Sequence, residues 1–156
     1  ANSFSDFKNQ TRIIIGGAGA KVVKQMFRKP FPNIPIIVTK SETAEMVKYF
    51  TNCFLASKVT FANQMYDICQ LANVDYDKVC EYALYDARIG KSHLAVPGPD
   101  GDRGFGGHCF PKDLSAMIHF GDEAGTGFLQ AVDFYNKDVR HNRDWEKMKG
   151  RAVSDD

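Results

Sequence analysis

"SETAEMVKYFTNCFLASKVTFANQMYDICQLAN", Ser41–Asn73, runs for more than thirty residues without a glycine or a proline. A stretch that long with neither breaker predicts one continuous helix. Ser41 is the expected N-cap, and Glu42 and Glu45 fall where a helix N-terminus favours negative charge. Apolar residues stand at most positions round the wheel, so the helix must be covered on several sides. It is expected to be both the spine of the domain and a subunit contact.

On the N-terminal side the pattern is different. "TRIII" and "IPIIVT" read as short buried strands, with "KVVKQMFRK" as a helix between them. "PFPNIP" ends that helix. Strand, helix, strand is a piece of an α/β unit. The turn "GGAGA" resembles a dinucleotide-binding turn in setting. A G-x-G-x-x-G pattern counted from Gly17 nevertheless requires glycine at position 22, where Val22 stands, and Glu42 only weakly meets the expected acid. The turn is read as a plain link between strand and helix.

On the C-terminal side, "VDYDKVCEYALYDAR" is read as a second helix capped by Asp75. "IGKSHLAVPGPDGDRGFGGHCFP" is a long loop, and loops of that length in compact domains usually serve function. "DLSAMIHFGDEAG" is a third helix with Asp113 at its N-cap, and "FLQAVDFYNKDVRHNRDWEKMK" a fourth. The fold class is therefore mainly α, a long-helix domain preceded by a short β-α-β remnant.

Bulk properties narrow the classes of function. The 156 residues fit one ordinary domain, with 44% apolar and 25% charged residues and a net charge of +1. No basic field points to nucleic acid, and no apolar run approaches the roughly 20 residues of a membrane span. Cys53, Cys69 and Cys80 sit in apolar helical patterns, and no Cys-x-x-Cys occurs, so reduced core thiols and a cytoplasmic setting are expected. The histidines are single and scattered, so no metal site is read.

Two constellations could carry chemistry. Lys48 and Asn52 lie four residues apart on one helix face, and Asn63 continues that stripe three turns on. Polar groups on an otherwise apolar helix need partners or a ligand; the plain alternative is a snorkelling lysine beside a satisfied asparagine. The second is "RGFGGHCFPKD", Arg103–Asp113. A cysteine after Gly106 and Gly107 and beside a helix start suits a reactive thiolate. His108 suggests a base, but a neighbour's side chain usually points elsewhere.

Three separated segments resemble one family in the right order. "GFGGHCFPKD" resembles the catalytic-cysteine segment of the UDP-glucose/GDP-mannose dehydrogenase family. "AEMVKYFTNCFLASKVTFAN" resembles its central helix, A-E-x-x-K-Y-x-x-N-x-F-L-A-x-K. "DARIG" resembles its D-x-R-I-G segment, and "NQTRIIIGG" the last part of its nucleotide domain.

The resemblance implies an NAD-dependent oxidoreductase that takes a UDP-sugar C6 alcohol to a carboxylate through two hydride transfers. It makes Cys109 the nucleophile, through a thiohemiacetal and a thioester. Lys48 and Asn52 flank the reacting carbon, and Asp113 assists proton transfer. Arg88 reaches the sugar site of a neighbouring subunit. The backbone from Gly104 through Phe105 and Gly106 to Gly107 lies against the sugar, and Lys112 is assigned to the cofactor. His108 resembles the UDP-N-acetylmannosamine branch, whereas "CFPKD" resembles the UDP-glucose branch.

Residues 1–40 are expected to be the end of the NAD-binding α/β domain, 41–150 the helical central domain and 151–156 a tail. The family's G-x-G-x-x-G, its N-P-E-F-L-x-E stretch and its C-terminal domain are not in this sequence, so the chain alone is expected to be inactive and to pair as a homodimer through the long helix. The different class is a non-catalytic helical pairing module with an incidental Cys109. The catalytic reading expects Cys109, Lys48, Asn52 and Asp113 to converge on one pocket. The plain one expects Cys109 buried in apolar packing and Asp113 only capping its helix.

Overall fold

The computed structural model describes residues 3–148 and divides the chain into two units, one up to Phe50 and one from Thr51.

In the first unit, helix α1 (Ser3–Lys8) precedes strand β1 (Ile13–Gly16), helix α2 (Ala20–Arg28) and strand β2 (Ile36–Thr39). The strands pair in parallel, Ile13 opposite Ile36 and Gly16 opposite Thr39. The expected strand–helix–strand is thus present; α1 was not foreseen, because its six residues offer too few turns for a period to show. Ile13, Phe31 and Ile36 form the buried centre, with Ile15, Phe27 and Ile34 against it. The "PFPNIP" turn is closed by the Arg28 guanidinium, which donates to the carbonyls of Pro32 (3.0 Å) and Ile34 (3.1 Å).

Helix α3 (Ser41–Leu71) is the predicted spine, 31 residues without interruption. Ala44 N–H donates to the Lys40 carbonyl at 3.0 Å, so Lys40 and not Ser41 takes the cap position. Gly16 is needed where α3 starts: a Cβ there would stand 2.7 Å from Ser41 Cα and 2.9 Å from Ala44 Cβ.

The second unit packs the rest of α3 with α4 (Tyr76–Ala83), α5 (Cys109–Phe120) and α6 (Gly127–Val139). Cys53, Ala56, Phe105, Leu114 and Val132 make its main core. Small residues on α3 let the other elements approach closely. A second cluster holds Ala62, Cys69 and Tyr76, and the Tyr76 hydroxyl donates to the Leu94 carbonyl at 2.8 Å, tying down the long loop.

Three helix boundaries differ from the sequence reading. Asp75 caps α4 as expected, accepting from Asp77 N (3.0 Å) and Lys78 N (3.3 Å), but α4 ends at Ala83 rather than Arg88. Helix α6 stops at Val139: Arg140 turns to extended geometry, and a separate 3-10 helix follows at Asp144–Lys147. Helix α5 starts at Cys109, four residues before the expected cap at Asp113. Pro111 does not prevent this. First-turn N–H groups have no helical partner in any case, so a residue lacking one loses nothing there.

Candidate active site

Starting α5 at Cys109 puts that residue on the first helical position, exposed to solvent. Asp113 follows four residues later and therefore lies on the same side of α5, one turn inward. It is fully buried. An acid so placed needs donors. Asn52 Nδ2, from α3, donates to Asp113 Oδ2 at 2.5 Å, and the Lys112 ammonium pairs with Asp113 Oδ1. Asp113 thus does not cap its helix, and Cys109 is not buried in apolar packing.

His108 does not point away. Its Nε2 lies 3.4 Å from Cys109 Sγ. Cys53, the residue after Asn52 on α3, is buried, and burial followed by the charge of Asp113 pushes its thiol pKa up. Lys48 stands one turn before Asn52 on α3, in the unit that ends at Phe50, with Nζ 5.1 Å from the Tyr49 ring centroid. In the second unit the structure joins Asn52, Asp113 and Lys112, with Cys109 one turn before Asp113 on α5.

The glycine segment before Cys109 is held by the chain itself. Asn136 on α6 accepts from Phe105 N (2.7 Å) and donates to Phe105 O (3.0 Å). Asn63 on α3 accepts from Gly104 N and Arg103 Nε, both at 3.2 Å. Asn63 therefore finds its partners within the chain and carries no ligand role on this geometry. Asp144 accepts from Gly107 N at 3.0 Å. A Cβ on Gly104 would lie 2.3 Å from Asn136 Oδ1, and one on Gly106 2.3 Å from Arg140 Nη2. Only Gly107 of the three faces open space.

Arg103 is fixed by Asp67 (2.8 Å) and lies over the Tyr66 ring. Its hydrogen bond holds Asp67 below the usual carboxylate range, while burial and then Asp67 push Tyr135 up to about 12. Arg88 is exposed and forks onto Asp86 at 2.6–3.1 Å. It borders an open apolar groove of about 660 Å³ that Phe54, Phe61, Phe128 and Phe134 also line. Lys58 at its edge donates to the carbonyls of Ile89 (3.2 Å) and Gly90 (2.9 Å).

Residues 42–138 match the central domain of the UDP-glucose/GDP-mannose dehydrogenase family. The chain belongs to that family. It is 35% identical to the UDP-glucose 6-dehydrogenase TuaD of Bacillus subtilis, over 98% of this chain and 34% of the relative. A UDP-glucose 6-dehydrogenase of Rhizobium meliloti is 35% identical, over 97% of this chain and 34% of its own length. The structure of a UDP-glucose dehydrogenase from the archaeon Pyrobaculum islandicum superposes with a TM-score of 0.71 at 36% identity, over 85% of this chain and 30% of that one. The chain thus spans about a third of the length of these relatives.

The glycine turn after β1 departs from a dinucleotide-binding turn at two points. The space above Gly16 is filled by Ser41 and Ala44, and exposed Val22 takes the place of the last glycine. Among the described residues no helix is long and apolar enough to cross a membrane. Sequence reasoning missed Asn136, Arg140 and Asp144. Asn136 had a signal, a polar residue one turn after Val132 on a buried face; Arg140 and Asp144 had none, since they lie past the helix end in a charged run.

Proposed function

We propose that this chain is the central part of an NAD-dependent UDP-sugar 6-dehydrogenase that takes UDP-glucose to UDP-glucuronate, with residues 41–150 as its helical domain. The names of its relatives and the family match support this reading. The observation that carries it is the buried Asp113, bonded to the half-buried Asn52 and set one turn along α5 from an exposed Cys109.

In this reading the Cys109 thiolate adds to the aldehyde carbon of the half-oxidised sugar. A C–S bond forms, and the former carbonyl oxygen takes a proton. Loss of a hydride from that carbon and of the hydroxyl proton gives a thioester. Water then releases the carboxylate and restores the thiol. A nicotinamide dinucleotide would accept the hydrides, and Lys112, which pairs with Asp113, is the side chain the family resemblance assigns to it.

The chain's own residues handle charge and protons. Lys48 offsets negative charge on the reacting oxygen. Asn52 keeps its amide oriented through Asp113 and presents it to that oxygen and to water. Asp113 shuttles the proton between water and Lys48. Gly107 is the part of the glycine segment with an open face toward a sugar, while Gly104, Phe105 and Gly106 set its shape.

Arg88 serves the neighbouring subunit of a homodimer built on α3. Phe54, Phe61 and Ile68 recur at seven-residue spacing and are each half or more exposed, which is the seam of a paired helix. The free state of all four cysteines fits a reducing, cytoplasmic setting.

The test is Cys109→Ser in the full-length enzyme. NADH formation with UDP-glucose is expected to vanish. Unchanged turnover would leave the second reading, a pairing module, which the exposed α3 stripe favours.

A further inference from the structure

The end of α6 and the segment after it reach back to the glycine loop through the side chains of Asn136, Arg140 and Asp144. We infer that Asn136, Arg140 and Asp144 are positioning residues for the nucleophile, acting on Cys109 through the backbone of residues 104–107; this rests on the dehydrogenase reading above.

The three side chains reach different peptides of the loop: Asn136 that of Phe105, Asp144 the Gly107 N–H and Arg140 the Arg103 carbonyl. Asn136 closes a two-point bond on Phe105, N–H at 2.7 Å and carbonyl at 3.0 Å. Asp144 takes the Gly107 N–H with both carboxylate oxygens, at 3.0 and 3.2 Å. Arg140 is nearly buried and donates to Arg103 O (3.3 Å), Asn142 O (2.9 Å) and Asp100 (2.6 Å). A loop of glycines has no side chains with which to hold itself, and its backbone entropy is the largest of any residue. Its shape must therefore come from outside.

The glycines confirm the direction of the constraint. Gly104 and Gly106 lack a Cβ because Asn136 Oδ1 and Arg140 Nη2 occupy that space at 2.3 Å. Their smallness serves the clamp and not a ligand. Gly107, held by Asp144 through its N–H, keeps its other face clear two residues before Cys109. The turn that carries Asp144 is itself fixed by buried Trp145. A nucleophile on the first residue of α5 inherits whatever tilt this peptide has, and a displacement of about 1 Å can cost on the order of a hundredfold in rate.

The test uses the full-length enzyme with UDP-glucose. Asp144 is only half-buried, so Asp144→Ala should fold. It is expected to lower kcat by about tenfold or more, with KM within about twofold and Tm little changed. Asp144→Asn keeps an acceptor for Gly107 N–H and is expected to restore kcat to within about threefold of the parent. Asn136→Ala is the second probe, with the same fall in kcat at little-changed KM expected, together with a lower Tm from the two buried Phe105 bonds it breaks. A kcat within about twofold of the parent in both Asp144→Ala and Asn136→Ala overturns the inference, as does a loss that Asp144→Asn does not restore. Cys109→Ser separates the two levels: if it stays active, the catalytic reading itself falls, and this inference with it.

Discussion

Asn52 and Asp113, 61 positions apart in sequence, share a 2.5 Å hydrogen bond at the back of the α5 N-terminus. The carboxylate is fully buried, and an amide from the spine helix is one of the groups that make it tolerable there. The bond ties the element bearing Cys109 to the longest element of the chain.

Removing that donor should therefore be felt as stability as well as activity. Asn52→Ala is expected to cost about 1–3 kcal/mol, the range for stranding part of a buried polar group. Asn52→Asp should cost more at neutral pH, because it sets a second carboxylate against Asp113, and should recover as acid protonates one of the two. Urea unfolding of the three proteins at two pH values measures this; equal midpoints would show that the pair contributes nothing.

The core helix, the parallel strand pair and the long loop were legible in the sequence because each rests on local signals. Those signals were an unbroken run for α3, β-branched runs for β1 and β2, and glycine and proline density for residues 89–108. Asn52 and Asp113 stand out in the sequence as polar residues needing partners, but Asp113 lies a full turn inside α5 and does not cap it, because Pro111 falls within the first turn of the helix instead of ahead of it. The clamp by Asn136, Arg140 and Asp144 was not legible. It depends on pairing across 31 to 40 positions, and no local pattern encodes which loop peptide a distant asparagine will meet.

Asp102 predicts a dependence on acid. The Asn142 N–H above all, then the Arg103 N–H, His141 and Arg140, hold it at about 2 against an ordinary value of 3.8, although partial burial works the other way. A carboxyl lowered by folding contributes stability at pH values above its unfolded value and loses it as pH falls through its folded one. Between about pH 4 and 2 the parent should lose stability faster than Asp102→Asn, so the two curves approach each other on acidification. Thermal unfolding across that window checks it; parallel curves would show that Asp102 keeps its ordinary value in the folded chain.

Cysteine labelling should rank by placement. Cys109 is exposed, Cys80 partly buried, and Cys53 and Cys69 buried. Brief iodoacetamide treatment of the native chain should modify Cys109 first and Cys80 slowly. Cys53 should wait for unfolding, its thiolate doubly disfavoured by burial and by Asp113. Peptide mass spectrometry gives the order, and early loss of Cys53 would contradict the packing of α3 against α5.

Gly104 and Gly107 offer the sharpest contrast on the loop. Both have positive φ, +65° and +70°, so alanine at either position meets the same backbone strain, about 1 kcal/mol. Their surroundings differ. A Cβ on Gly107 meets nothing within 4 Å, whereas one on Gly104 arrives 2.3 Å from Asn136 Oδ1, the atom that also accepts the Phe105 N–H. Gly104→Ala must therefore push Asn136 aside and break its two bonds to Phe105, adding about 1–3 kcal/mol of overpacking to the strain. The expected result is a lower Tm for both variants, with Gly104→Ala clearly the worse. The double variant Gly104→Ala with Asn136→Ala should regain part of the loss, because the clash partner is gone, so the two changes should be far from additive. Strict additivity in that cycle would mean that Gly104 and Asn136 do not touch, and the account of why this loop is built from glycine would have to be abandoned.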